Sequence, residues 1–278
     1  MKKFLCAFLG IMTVISVGMV LNVREHRIQF AVKICVSDQT AIRAAKAAAL
    51  SGTGAEGLDV EDRVMQIVYQ LARRSIVKVV VKDAAGSGVI WKLGDRIVIV
   101  SNRHLLMKDV TAEIIFGNGE TAAADVIGYS QQYDIGFVRI PEEAVTSGVL
   151  RDIYEAVPSM YGTESEEART VFAVEYKTRR VMQVGAVIDR STANFSIGSV
   201  MGLKYVPLFN THVLETACQS RPGMSGGGVF DEGGRFLGMI SGGDVPEGAE
   251  AREAEITYSI PSALIALEYE EISSRTTW

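Results

Sequence analysis

From Ser75 onward the chain breaks into short runs rich in β-branched residues, each ended by glycine or a polar cluster: SIVKVVVK, GVIWK, RIVIVS, AEIIF, ADVIG, IGFVRI, VFAVEY, VMQVGAVID, HVLET, GGVF, RFLGMIS and EITYSI. Val, Ile and aromatic side chains suit a pleated surface, and many such runs separated by breaker residues predict an all-β body. Composition allows it: 48% hydrophobic and 22% charged residues, with 6 prolines among 278, describe a folded chain large enough to bury one big core or two smaller ones. The balance of 28 Lys and Arg against 33 Asp and Glu leaves a net charge of −5, which excludes the basic surface of a nucleic-acid binder.

Two segments lie ahead of this body. Residues 4–23, FLCAFLGIMTVISVGMVLNV, carry no charge and as a helix would extend about 30 Å, the thickness of a bilayer core. The run is longer than a cleavable signal's apolar region and offers only Ser16 and Gly18 as small residues near its end, so residues 1–23 read as a signal anchor. Lys2, Lys3 and the amino group narrowly outweigh Arg24 and Arg27, which places the amino terminus in the cytoplasm and the rest outside it, or secreted if the segment is cleaved. Residues 24–58 include an Ala- and Gly-rich stretch with no large apolar face and read as a linker. From Asp59, a candidate N-cap, Val60, Val64, Ile67, Val68 and Leu71 recur at helical spacing.

Within the body, residues 59–140 hold this helix and the first group of strands. Residues 141–170 form an acidic connection, whose acids fit no metal-binding loop and read as a solvated face. Residues 171–272 hold the remaining strands and, after Pro261, a helix with Ile265, Tyr269 and Ile272 on one face. Three cysteines (Cys6, Cys35, Cys218) and three histidines (His26, His104, His212) are too scattered for a disulfide framework or a structural zinc site, and no metal or cofactor is expected. Cys35 and Cys218 could pair in an oxidising compartment, although two unpaired buried thiols are the favoured reading.

The string CQSRPGMSGGGVFDEGGRFLGMISGG sets Ser225 among Gly223, Gly226, Gly227 and Gly228. A nucleophilic hydroxyl needs a tight turn whose N–H groups converge, and glycine lets a substrate approach such a backbone closely. A glycine-rich hairpin with an incidental serine has the same letters. GMSGG also matches the nucleophile elbow of α/β-hydrolases, whose histidine follows the serine, but no histidine lies after Ser225. An order in which the base comes first remains. His104 follows the apolar run RIVIV, Asp134 opens IGFVRI, and with Ser225 they satisfy the order His, Asp, Ser. His212 has no aspartate between itself and Ser225 and reads as a packing residue.

Three blocks, GSGVIWKLGDRIVIVSNRHLL, YDIGFVRI and LETACQSRPGMSGGGVFDEGGRFLGMISGG, resemble the trypsin-like serine peptidases, especially the bacterial HtrA type. VFAVEY and YSIPSALIALEYEE also look family-like. The resemblance implies two six-stranded antiparallel β-barrels with the site between them. It implies His104 as general base, Asp134 as its orienting carboxylate, Ser225 as nucleophile, and the N–H groups of Gly223 and Ser225 as the oxyanion hole. Ser241, Gly242 and Gly243 resemble the strand that pairs with substrate, though a hairpin turn fits those letters equally. Cofactor-independent hydrolysis of polypeptides by an endopeptidase follows from the resemblance, and the apolar run of residues 4–23 would anchor it in a membrane.

The chain departs from the family pattern in places. Met224 stands where Asn or Asp is usual, and Gly228 where Pro is usual. Gln219 replaces the acid that selects basic side chains, which leaves an aliphatic preference. The few residues after Pro261 leave no room for a PDZ domain. Met224 and Gly228 also motivate a second reading, a binding or sensor protein on a peptidase fold; an esterase with an unusual base is a third.

Overall fold

The computed structural model describes residues 60–159, 165–186, 194–244 and 254–275. The signal anchor, the linker, Cys35, His26, the Asp59 cap and the end of the VMQVGAVID run lie outside the described residues. Among the described residues no helix is long and apolar enough to cross a membrane.

Helix α1 (Val60–Ala72) leads into strands β1 (Ile76–Val81), β2 (Ala84–Leu93) and β3 (Arg96–Ser101), a single helical turn α2 (Arg103–Leu106), and strands β4 (Thr111–Ile115), β5 (Thr121–Tyr129) and β6 (Gly136–Pro141). The six strands close in the order β1-β2-β3-β6-β5-β4. Alternate residues fill the barrel: Val77, Val79 and Val81 from β1 meet Ile97, Ile99, Ile114, Val138 and Ile140 inside.

A connection containing α3 (Ser147–Asp152) and α4 (Glu166–Tyr176) leads to β7 (Arg180–Val184), β8 (Phe195–Val206), β9 (Thr211–Thr216), β10 (Gly228–Asp231), β11 (Phe236–Asp244), β12 (Ile256–Pro261) and α5 (Ser262–Arg275). The second six strands close as β10-β11-β12-β9-β8-β7. Two all-β barrels with a C-terminal helix are therefore present.

One expected strand is corrected. VFAVEY belongs to α4: Ser165 Oγ accepts the Ala168 N–H at 3.0 Å as N-cap, and Phe172 and Tyr176, one helical turn apart, are buried with rings stacked at 4.8 Å. Val171 and Val174 face solvent, which a buried strand would not allow. The strand that completes the second barrel is FSIGSVMGLKYV, whose glycines and half-exposed alternate residues hide its pattern.

The barrels share a core. One apolar cluster joins Val64, Met65 and Val68 of α1, Val89, Trp91 and Phe137 of the first barrel, Met182, Phe230 and Met239 of the second, and Leu264 and Ile265 of α5. Tyr269 of α5 packs edge-on to Trp91 and Phe137.

Candidate active site

His104 lies in α2, held at the end of β3 by a turn in which Leu105 and Leu106 are buried and His104 is turned outward, its side chain 55% exposed. Asp134 sits just before β6 on the neighbouring strand connection and is 16% exposed. Its carboxylate meets the imidazole directly: His104 Nδ1 is 3.0 Å from Oδ1 and 2.9 Å from Oδ2. The backbone N–H of His104 also donates to Oδ1, at 2.9 Å. A carboxylate only accepts, so Nδ1 carries a proton, and the tautomer that this selects for a neutral ring has its lone pair on Nε2.

Asn102, which sequence reasoning missed, completes the setting. It is fully buried, and its Nδ2 donates to Asp134 Oδ2 at 3.0 Å and to Ser241 Oγ at 2.8 Å. The latter bond crosses from the first barrel to the second. The one available signal was its place two residues before His104, where a buried amide inside an apolar turn needs partners.

Ser225 arrives from the second barrel on two successive turns, with Met224 N–H donating to Arg221 O at 3.0 Å and Gly227 N–H to Met224 O at 2.8 Å. Gly223 at φ +91° and Gly226 at φ +86° require glycine's freedom. Met224 is buried among Phe172, Cys218 and Leu237 and packs on Gly185, so this departure from the family pattern anchors the turn by apolar burial. Gly228 lies against the rings of Phe230 and Phe236.

The two halves of the site approach at β2. A Cβ placed on Gly86 would lie 2.9 Å from Leu105 Cδ2 and 3.1 Å from Ser225 O, so the serine turn and the turn that carries His104 both pack against this one glycine. Among the described residues, His104 bonds to Asp134 alone, and Ser225 Oγ makes no hydrogen bond. The N–H groups of Gly223 and Ser225 are also without a partner there, whereas those of Met224, Gly226 and Gly227 are all engaged. Two free donors beside a free hydroxyl can accept a developing negative charge.

Ser241, Gly242 and Gly243 lie in β11, not in a hairpin turn. A register shift between Ile240 and Gly242 leaves Ser241 out of step and turned to Asn102, while Gly242 and Gly243 pair with Tyr258 and Thr257 of β12. The ladder of β11 with β10 ends at Met239 and bonds to Gly226 and Gly227 extend it to Ile240; among the described residues no strand pairs with Ser241, Gly242 and Gly243 on that edge. Gln219 is exposed, donates its N–H to Ser196 Oγ at 3.0 Å, and lines a cavity of about 250 Å³ with Phe195, Ile197, Arg221 and Met224. His212 stands apart, its ring edge-on to Tyr205 at 5.4 Å, with burial and Arg169 lowering its pKa. Cys218 is a buried free thiol whose pKa burial pushes up to about 12, which makes it a poor nucleophile. Among the described residues no three His, Cys, Asp or Glu side chains gather to hold a metal.

Comparison with known proteins gives the family and the fold. The model of the trypsin-like peptidase domain matches residues 86–239. A serine protease Do-like HtrA of Lactococcus lactis is 24% identical over 167 residues, covering 56% of this chain and 36% of that protein. A serine protease HtrA-like protein of Staphylococcus epidermidis is 27% identical over 173 residues, covering 56% and 26%. The chain thus accounts for well under half the length of these relatives. Among solved structures, the HtrA-type protease AlgW with tripeptide superposes with a TM-score of 0.59 at 16% identity, covering 76% of this chain and 64% of that one. An inactive form of Rv3671c from M. tuberculosis gives 0.55 at 15% identity, covering 76% and 92%. The chain belongs to the trypsin-like peptidase domain family, and its relatives there are serine proteases of the HtrA type.

Proposed function

We propose that this protein is a serine endopeptidase that cleaves polypeptides through an acyl-enzyme, with Ser225 as nucleophile, His104 as general base and acid, and Asp134 as the carboxylate that orients and charges the imidazole. The carrying observation is the His104–Asp134 pair, in which the carboxylate holds Nδ1, together with a serine turn whose Gly223 and Ser225 N–H groups are unengaged among the described residues. In the reaction Ser225 Oγ attacks the scissile carbonyl carbon while Nε2 takes its proton. The carbonyl oxygen becomes an oxyanion between the N–H groups of Gly223 and Ser225, and His104 returns the proton to the leaving amine. Water, activated by the same imidazole, then releases the acyl group. The open edge of Ser241, Gly242 and Gly243 would pair with the substrate backbone as an added strand.

The charge-free residues 4–23 support a membrane anchor with the peptidase domain outside the cytoplasm. A second reading, a binding protein that keeps the fold without turnover, is favoured by one feature: Ser225 Oγ is not bonded to His104. Catalytic hydrogen bonds often tighten only when substrate binds. A fluorophosphonate probe separates the two. The proposal expects labelling of the full chain that vanishes in Ser225→Ala and drops greatly in His104→Ala; absence of labelling and of peptide cleavage, with peptide still bound, refutes it.

A further inference from the structure

We infer that Ser87 is a positioning residue for the oxyanion turn: reaching from the first barrel, its hydroxyl holds the carbonyl of Gly223 and its N–H holds that of Ser225, so that the N–H groups of those two residues stay aimed into the cleft. The inference rests on the peptidase reading above and adds a residue outside the His104, Asp134 and Ser225 set.

Ser87 is fully buried on β2, between two glycines that have no space for a side chain. A Cβ on Gly86 would press on Leu105 and Ser225 O, and one on Gly88 would lie 2.6 Å from Ile99 Cγ2 and 2.8 Å from Val79 Cγ2. In this triplet the hydroxymethyl of Ser87 is therefore the one side chain the packing admits. All its polar atoms are used. Oγ donates to Gly223 O at 2.6 Å and accepts the N–H of Ala186 at 2.8 Å; the backbone N–H donates to Ser225 O at 2.8 Å; the backbone carbonyl accepts from Ser101 Oγ at 2.7 Å. A carbonyl only accepts and an amide N–H only donates, so the hydroxyl proton must point at Gly223 O.

The serine turn needs such a tie. With glycine at 223 and 226, peptide planes within it rotate at little steric cost. The 223–224 peptide is held at its N–H end by Arg221 O, a bond internal to the turn, and at its carbonyl end by Ser87. The 225–226 peptide is held at its N–H end by Ile240 O at 2.8 Å and at its carbonyl end again by Ser87. Fixing these two planes constrains the orientation of the peptides between and before them, which carry the free N–H groups of Ser225 and Gly223. A donor is effective only if already aimed where charge develops.

The test compares full-length Ser87→Ala, Ser87→Cys and Ser262→Ala with wild type. Ser262 Oγ donates to Ser159 O at 2.7 Å and is buried away from the cleft, so its loss reports the effect of deleting a buried hydroxyl elsewhere. Losing a whole oxyanion donor lowers kcat roughly 10²- to 10³-fold. Misaiming one should lower kcat in Ser87→Ala by roughly 10- to 100-fold with KM within about threefold of wild type. The inhibition constant of a peptide aldehyde, which forms an oxyanion on Ser225, should rise by the same factor as kcat/KM falls, while affinity for the cleaved peptide product holds. Ser87→Cys, similar in size but a weaker donor, should fall between, and Ser262→Ala should keep wild-type kcat. Turnover in Ser87→Ala within twofold of wild type, or unchanged aldehyde affinity, overturns the inference and leaves the peptidase reading intact. If Ser87→Ala does not fold, Ser87→Cys decides, and full activity there overturns it. A wild-type chain that neither turns over peptide nor reacts with phosphonate overturns both.

Discussion

Asp134 is gripped by three donors, the His104 N–H, the His104 Nδ1–H and the Asn102 amide, all from one stretch of three residues. In Asp134→Asn the new amide would present an N–H to Nδ1, forcing the proton onto Nε2, where the base is needed. The expected result is a fall in kcat of about 10⁴, or roughly 5.5 kcal/mol, with the fold retained, read by steady-state peptide cleavage alongside thermal unfolding. Residues of this kind announce themselves in a sequence: few histidines, one serine among glycines, and an aspartate at a strand start narrow the choice. Asn102 and Ser87 do not. They are ordinary polar residues whose partners lie 139 and 136 positions away, and no local pattern encodes a bond that long-range packing creates. Met224, which departs from the family pattern, is a buried plug among Phe172 of α4, Cys218 and Leu237.

Among the elements, most strands, the helix ahead of the body and the C-terminal helix follow from periodicity, because each buries one face. VFAVEY failed because a six-residue apolar run fits either a strand or one and a half helical turns, and the Ser165 cap that decides lies outside it. The join between α4 and β7 carries strain of its own. Thr178 is held at φ +68°, its N–H donating to Val200 O at 2.8 Å, and left-handed backbone is unfavourable for a β-branched residue. Thr178→Gly keeps that N–H and removes the clash. It should raise stability by about 1 kcal/mol in urea unfolding, with peptide cleavage unchanged, because the substitution leaves the backbone bond to Val200 in place and removes no buried side chain of the Met224 cluster.

At the scale of the whole molecule, periodicity alone yielded an all-β body; two closed barrels came from the family resemblance, because closure depends on which distant strands pair. The finished structure has an asymmetry between what keeps it folded and what keeps its groups in register. Apolar side chains from both barrels, α1 and α5 fill one shared cluster, so the halves should unfold together. The site, by contrast, hangs on polar bonds across the seam: Asn102 to Ser241, and Ser87 to Gly223 and to Ala186. A displacement of about 1 Å between reacting groups can cost 10²-fold in rate, while greasy contacts tolerate such sliding. Peptide cleavage should therefore disappear at lower urea than the tryptophan signal of Trp91, buried in the common cluster, and coincident transitions would contradict this. Mild loosening would then act as an off-switch ahead of collapse: under the proposed activity, the chain would go silent while still folded, before it offered unravelled copies of itself as prey.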